Sequence, residues 1–162
     1  MRIHLGANFE GYGVAESLRQ DLSAAGHEVI WHAAPAYDEG DDFPAITIRT
    51  VQAVVVDEDA GVDSVAVIVG GVGAGEVVAA NKVNGARVVG ATDAEYAADA
   101  RRHADANGIV LPTAHIADGV ARAIVTAFLE ADFSRGYDDA RRMVNVAEFE
   151  TAGTIEGWLI DK

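Results

Sequence analysis

The chain has 162 residues, enough for one domain with a substantial core, and it contains no cysteine. Its 12 Lys and Arg residues against 26 Asp and Glu residues give a formal net charge of −14, which repels nucleic acid backbones and anionic membrane surfaces. Thiol chemistry, disulfides and cysteine metal sites are therefore excluded, and a small molecule is the expected partner, with no nucleic acid and no membrane. The acid excess is also typical of a salt-tolerant cytoplasmic protein.

Short β-branched segments alternate with alanine-rich segments of helical periodicity along the chain. Strands are predicted, in chain order, near residues 3–5, 28–31, 64–69, 87–89 and 109–111. Helices are predicted near residues 11–25, 43–56, 75–83, 93–106, 117–130 and 137–150. This alternation predicts a Rossmann-like three-layer α/β/α sandwich around a five-stranded parallel sheet.

The two ends of the chain carry separate predictions. The helix at 137–150 follows a complete five-strand pattern, so we expect this C-terminal helix to reach across to a partner subunit. Residues 1–150 are expected to form the domain, and Trp158, Leu159 and Ile160 in the tail at 151–162 to pack on a surface or a partner. The segment Met1-Arg-Ile-His-Leu-Gly6 is predicted as a strand and not as a signal peptide, and no apolar run is long enough to span a bilayer, so a cytoplasmic location is expected.

A glycine-rich segment, Gly70-Gly-Val-Gly-Ala-Gly75, lies between the third predicted strand and the next helix and is followed by Glu76. The backbone amides of such a loop point outward and suit an anion or a developing oxyanion. The loop follows a middle strand, and no acidic residue about 20 positions on ends a second strand, so a dinucleotide is disfavoured. A simple tight turn is an equally good explanation of the loop, and Glu76 has the alternative role of complementing the helix dipole.

Ligands of parallel sheets bind beyond the carboxyl ends of the strands. The loops at 6–11, 70–76 and 92–93 are therefore expected to share one crevice. The acidic turn Tyr37-Asp-Glu-Gly-Asp-Asp42 is expected to be a solvated face, with ligand contact by Tyr37 or an adjacent acid as the alternative.

Histidines and arginines supply further candidates. His103 precedes the last strand, where its ring could enter the crevice as a proton donor or acceptor, although capping or packing is the commoner role. Arg141 and Arg142 are candidates for holding a phosphate or carboxylate, and ordinary ion pairs are equally plausible for them. The remaining histidines lack ligand spacing, which predicts a protein without a metal or another cofactor: His4, His27, His32 and His115.

These features together resemble the ribose-5-phosphate isomerase B and galactose-6-phosphate isomerase family. The most specific part is the glycine loop followed by Ala80-Asn-Lys82 and Gly85-Ala-Arg87. Agreement runs from Met1 to about Glu150 and includes Leu5-Gly-Ala, Tyr37-Asp, Asp42-Phe-Pro44, Arg102-His103, Ala127-Phe128 and Arg141-Arg142. The resemblance implies a homodimer or homotetramer with active sites between subunits.

The resemblance also implies a metal-independent isomerisation of an aldose and a ketose, sugar or sugar phosphate, through a cis-enediolate. One branch of the family uses a cysteine on the glycine loop as base and another a glutamate just after it, which Glu76 matches. His103 is implied to assist ring opening. The residues implied to bind substrate are Asn8, Phe9, Gly71, Val72, Gly73, Ala74, Gly75, Arg141 and Arg142.

Several positions depart from the family pattern. Asn8-Phe9 replaces Asp-His, Val72 replaces a hydroxyl residue, Ala104 replaces an asparagine, Thr113-Ala114 replaces Gly-Arg, and Asp138 replaces an arginine. Each lost arginine–phosphate contact forfeits roughly 1.5–3 kcal/mol. We therefore expect specificity altered away from ribose 5-phosphate, toward a less polar, shorter or unphosphorylated ligand. The alternative is a non-catalytic paralogue, either a ligand-binding module or the silent subunit of a hetero-oligomer.

Overall fold

The computed structural model describes residues 1–155, and five strands in this part form one sheet. The strands are Arg2–Ala7 (β1), Glu28–Trp31 (β2), Ser64–Gly70 (β3), Val88–Gly90 (β4) and Gly108–Pro112 (β5). They pair in the order β2-β1-β3-β5-β4, and every pair is parallel. The predicted α/β sandwich with a five-stranded parallel sheet is confirmed.

Helices connect the strands and cover both faces of the sheet. They are Tyr12–Ala24 (α1), Phe43–Asp59 (α2), Ala74–Ala80 (α3), Ala94–Ala104 (α4), Ala121–Glu130 (α5) and Tyr137–Ala152 (α6). The fifth helix begins four residues later than predicted, because residues 113–120 form an irregular loop in which Gly119 has a φ of +79°. α3 ends early at Asn81, whose side-chain amide donates to the carbonyls of Val77 and Val88 at 2.9 and 2.7 Å.

The core consists of two apolar layers on either side of β3. All seven residues of β3 are buried, as expected for the central strand of a sheet covered on both faces. One layer includes Leu5, Val67 and Phe128, and the other includes Val54 and Ile68. The sheet is therefore rigidly held between helices, and the loops at its two edges carry the exposed polar residues.

The C-terminal helix α6 differs from the other helices because none of its residues is buried. It extends two residues beyond its predicted end and leaves four large apolar side chains exposed, Tyr137, Val144, Val146 and Phe149. The predicted packing of Trp158, Leu159 and Ile160 lies outside the described residues. Across residues 1–155 no helix combines the length and the apolar character needed to cross a membrane.

Candidate active site

The glycine loop and the loop after β1 lie side by side at the carboxyl edge of the sheet. β1 and β3 are neighbours, with Ala7 opposite Val69, so the chain leaves both strands at the same level. Gly11 approaches the Val69 carbonyl so closely that no Cβ would fit there. On the other side, Gly73 and Thr92 line a cavity of about 240 Å³. The glycine loop thus adjoins both of the other loops, whereas one crevice shared by all three stays a prediction.

The loop after β5 fixes the orientation of the glycine loop. The Gly70 carbonyl accepts hydrogen bonds from the Thr113 amide and hydroxyl, both at 2.9 Å, and the Gly71 carbonyl accepts one from the Ala114 amide at 2.9 Å. In a trans peptide the N–H points opposite to the C=O. The amides of Gly71 and Val72 therefore point away from the β5 loop, on the side of β3 where β1 and its loop lie.

Glu76 lies in the first turn of α3 with only 4% of its surface exposed. Its carboxyl group occupies the space beside Gly70 that any side chain at position 70 would need, and the Phe43 ring packs against the adjacent Gly75. Burial raises the pKa of Glu76, a hydrogen bond from its own backbone amide opposes this, and the negative charges of Glu10 and Asp42 raise the pKa further. Among residues 1–155 no lysine or arginine pairs with this carboxylate. A desolvated carboxyl group that has a raised pKa and no cationic partner is suited to accept and return a proton.

In the loop after β1, the polar side chain of Asn8 forms hydrogen bonds within the loop itself. Asn8 is buried, and its Oδ1 accepts a hydrogen bond from the Gly11 amide at 3.2 Å while its Nδ2 donates to Glu10 Oε2 at 3.4 Å. The Asn8 side chain therefore holds the loop and Glu10, whereas the predicted contact with substrate hydroxyls stays a prediction. Phe9 and Val72 are 36% and 61% exposed, so both apolar side chains lie at the surface of this edge.

Glu10 is the residue at this edge that sequence reasoning missed. Its carboxylate lies against Gly71, where a side chain at position 71 would otherwise extend. The available signal was its position directly after Asn8-Phe9, the pair that departs from the family pattern. The negative charge of Glu10 therefore lies beside backbone amides that are suited to bind an anion.

An aromatic group borders the same loops. Tyr12, at the start of α1, contacts Trp31 edge-on with ring centroids 5.7 Å apart and Tyr37 at 6.1 Å. Tyr37 is 55% exposed, so its ring is accessible at the carboxyl edge. Ligand contact by Tyr37 stays a prediction.

His103 lies at the opposite, amino edge of the sheet. α4 begins after the carboxyl end of β4 and runs back across the sheet, so its last turn comes next to the start of β5. There His103 Nδ1 is 2.9 Å from Asp139 Oδ2, which also accepts a hydrogen bond from the Ser134 hydroxyl at 2.8 Å. The hydrogen bonds from His103 and then Ser134 hold the pKa of Asp139 below its usual value.

The two arginine candidates are near His103, on α6. Arg142 Nη1 is 3.0 Å from Asp139 Oδ1, and Arg141 Nη2 is 3.4 Å from Asp138 Oδ1. The structure thus groups His103 with the arginines and separates this group from Glu76 and the glycine loop. Within one chain the His103 ring does not enter the crevice, because α4 carries it to the far edge. A site that combines both groups requires a second copy of the chain.

No ready-made metal cluster is found in the part of the chain described. Residues 1–155 contain no group of three or more histidine, aspartate and glutamate side chains placed to hold a metal ion. The absence of a metal requirement stays a prediction from the sequence. The groups available for chemistry at the carboxyl edge are the Glu76 carboxylate and the loop amides.

Comparison with known proteins finds relatives that are sugar-phosphate isomerases. Residues 3–146 match the family model described as Ribose/Galactose Isomerase. Ribose-5-phosphate isomerase B of Mycobacterium tuberculosis is 37% identical over 150 residues, covering 93% of this chain and 90% of the relative. Galactose-6-phosphate isomerase subunit LacA of Streptococcus agalactiae is 30% identical over 141 residues, covering 87% of this chain and 94% of the relative.

Solved structures agree with this match. Ribose-5-phosphate isomerase B from Mycoplasma genitalium, determined with bound ribulose-5-phosphate, superimposes with a TM-score of 0.87 at 25% identity, covering 93% of this chain and 97% of that one. Ribose-5-phosphate isomerase B from Clostridium thermocellum gives a TM-score of 0.83 at 28% identity, covering 95% of this chain and 100% of that one.

Proposed function

Because the chain belongs to the ribose/galactose isomerase family, we propose that it is an aldose–ketose isomerase in which Glu76 transfers the proton. The observation that carries this proposal is the Glu76 carboxyl group, buried without a cation beside the glycine loop. A carboxylate that served only the helix dipole would gain nothing from burial. The retained base also favours catalysis over the alternative of a silent paralogue.

The proposed reaction has two proton transfers at carbon, one proton shift between the neighbouring oxygens, and one intermediate. Glu76 takes the proton from the carbon next to the sugar carbonyl, and the electron pair of that C–H bond moves to form a cis-enediolate. The amides of Gly71 and Val72 stabilise the negative oxygen as it develops. A proton also passes from the hydroxyl oxygen on the first carbon to the former carbonyl oxygen, and Glu76 returns its own proton to the former carbonyl carbon, which completes the exchange of aldose and ketose. The raised pKa of Glu76 improves its return of the proton and sets the pH below which the base is lost.

We further propose that two chains form each active site, in a homodimer or homotetramer. Two observations support this: α6 buries none of its residues, and His103 lies at the edge away from Glu76. In such an assembly the partner's His103 would reach the crevice with its imidazole oriented by Asp139 and would assist ring opening. A cytoplasmic location stays a prediction.

Altered substrate specificity is also part of the proposal. Ala114, at the position of a family arginine, carries no charge, and the neighbouring Thr113 donates its hydroxyl to the Gly70 carbonyl and braces the loop. Asp138, at the position of another family arginine, pairs with Arg141 and so occupies one of the cations that could have held a phosphate. Both departures favour a substrate other than ribose 5-phosphate.

The test is the substitution Glu76→Gln, assayed by NMR as deuterium uptake at the carbon next to the carbonyl across aldoses, ketoses and their phosphates. We expect exchange to fall by about 10³-fold or more, because the amide cannot take a proton. Thermal unfolding should show an intact fold. Undiminished exchange in this variant would overturn the assignment of Glu76.

A matched control separates proton transfer from the helix-dipole role. Glu95 occupies the first turn of α4 as Glu76 occupies that of α3, and it is exposed. The substitution Glu95→Gln should leave exchange within about twofold of the parent, since exposed charge changes have small effects. Equal losses in both variants would support the dipole role. Binding of a sugar without any exchange in the unmodified protein would favour the non-catalytic alternative.

A further inference from the structure

Glu10 lies where an anionic part of a ligand would otherwise approach the glycine loop. Its carboxylate contacts Gly71, and the buried Asn8 side chain donates to it at 3.4 Å from within the same loop. The Gly71 and Val72 amides point toward this side of β3. The charge of Glu10 also acts on Glu76, whose pKa it raises. A carboxylate therefore stands beside both the oxyanion pocket and the base.

The other loops at this edge offer no lysine or arginine to compensate this charge. The connections that leave the carboxyl ends of the five strands span residues 8–11, 32–42, 71–73, 91–93 and 113–120, and none contains a lysine or arginine. The same segments carry seven carboxylates, at Glu10, Asp38, Glu39, Asp41, Asp42, Asp93 and Asp118. A phosphate dianion arriving here would meet repulsion from the chain that supplies the base.

The exposed groups beside Glu10 suit an uncharged ligand better. Phe9 and Tyr37 present accessible aromatic rings at this edge, and a carboxylate accepts hydrogen bonds from hydroxyl groups. The Glu10 carboxylate, to which the Asn8 side chain donates a hydrogen bond, can therefore bind sugar hydroxyls.

We propose that Glu10 is a specificity-determining residue that makes this site select unphosphorylated sugars over sugar phosphates. This inference rests on the proposed isomerase function and names the substrate class of the same site. Glu10 acts by accepting hydrogen bonds from sugar hydroxyls and by lowering, through its negative charge, the affinity of this edge for a sugar that carries a phosphate dianion.

The experiment compares the full-length protein with Glu10→Gln, which keeps the shape and removes the charge. The ratio of kcat/KM for ribose 5-phosphate to that for ribose should rise by about tenfold or more at low ionic strength, and less at high salt. Glu10→Asp, which restores a carboxylate, should return the ratio toward that of the parent. An unchanged ratio in Glu10→Gln, or a parent protein that prefers the phosphate, overturns the inference.

Two further measurements test whether the charge of Glu10 itself causes the change in substrate ratio. The acid limb of the pH profile should move to lower pH in Glu10→Gln, since one charge that raises the Glu76 pKa is gone while Asp42 remains. Asp118→Asn removes a charge from the β5 loop at the same edge, and it should change the substrate ratio by no more than about twofold. A change as large as that of Glu10→Gln would mean that net charge, and not Glu10, decides specificity.

A binding assay keeps this inference separate from the proposed function. Affinities for inorganic phosphate and ribose 5-phosphate are measured by calorimetry in the parent and in Glu10→Gln, and we expect both ligands to bind about tenfold more tightly to the variant. If no sugar undergoes exchange in either protein, the isomerase proposal fails, and the binding result still decides the role of Glu10. Equal or tighter phosphate binding by the parent overturns it.

Discussion

The two edges of the sheet differ in the partners that they provide for buried polar groups. At the amino edge, Asn107 is fully buried, and its Oδ1 accepts from the Arg87 amide at 2.8 Å while its Nδ2 donates to Glu58 and to the Gly85 carbonyl at 3.0 and 2.9 Å. At the carboxyl edge, Glu76 is buried without a cation and next to like charges. The comparison teaches that a satisfied buried group stabilises the fold, whereas one left unpaired is available for chemistry.

The two edges also differ in the charge of the side chains that lie there. The amino edge and α6 bring together His103, Arg141 and Arg142, each beside an aspartate. The carboxyl edge holds acids and loop amides. Under the proposed function each edge therefore holds half of the reacting groups, and only contact between copies of the chain would bring the halves together.

The largest expected effect comes from mixing two inactive variants. Glu76→Gln disables the carboxyl edge, and His103→Ala disables the amino edge, so each variant alone should show little exchange. In a 1:1 mixture refolded together, half of the dimers are mixed, and each mixed dimer has one intact site if the edges come from different chains. Activity should recover to about a quarter of the parent value.

The readout is exchange activity of the mixture against the two separate variants at equal total protein concentration. Mixing without refolding serves as the control, since preformed oligomers that exchange subunits slowly should gain less. No recovery in a refolded mixture that is oligomeric by light scattering would show that both groups act within one chain, or that His103 plays no part.

A smaller effect is expected from Gly70→Ala. The new methyl group would overlap the Glu76 carboxyl group, which is the end of a flexible side chain and can rotate away. We expect kcat to fall by about 10²-fold, because the base is misplaced, with a change in the free energy of unfolding of less than about 1 kcal/mol.

Gly136→Ala provides the matched control for Gly70→Ala. A Cβ at Gly136 would meet only the Ser134 hydroxyl at an ordinary 3.5 Å, away from Glu76. Its kcat should stay close to that of the parent. A Gly70→Ala protein with parental kcat would contradict the placement of Glu76.

The smallest effect concerns a histidine pair between the edges. His4 Nδ1 lies 2.8 Å from His32 Nε2, and His4 Nε2 lies 2.9 Å from Asp57 Oδ2. Burial, followed by the positive charges of His4 and Arg49, lowers the pKa of His32 to about 4. Because the unfolded chain binds this proton at higher pH, its contribution to stability is complete above about pH 6.5 and is lost as the pH falls toward 4.

The half-buried ring limits this effect to about 1–2 kcal/mol. Denaturant unfolding from pH 7 to pH 4 should show a steeper loss of stability in the parent than in His32→Gln. His27→Gln, which removes an imidazole elsewhere, should follow the parent. Parallel curves for the parent and His32→Gln would mean that His32 ionises in the folded protein as it does in the unfolded chain.

Much of the fold followed from local sequence patterns. The run Val65-Ala-Val-Ile-Val69 is apolar at every position, which predicts a strand buried on both faces, and β3 is the fully buried central strand. The glycines after it predict a turn, and Gly73 adopts a φ of +80° at the start of α3. The start of α5 was wrong because helical periodicity does not reveal where a loop ends.

The sequence by itself determined the succession of strands and helices, the parallel sheet and the family, and it singled out Glu76 as the candidate base. Only the tertiary structure decided that the Asn8 side chain forms hydrogen bonds within its own loop, that Glu10 lies over Gly71, and that His103 lies away from Glu76. The physical reason is the separation along the chain of the residues that interact. Strands, helices and turns depend on neighbouring residues, whereas the direction of a carboxylate and the edge at which a helix ends depend on contacts between distant segments.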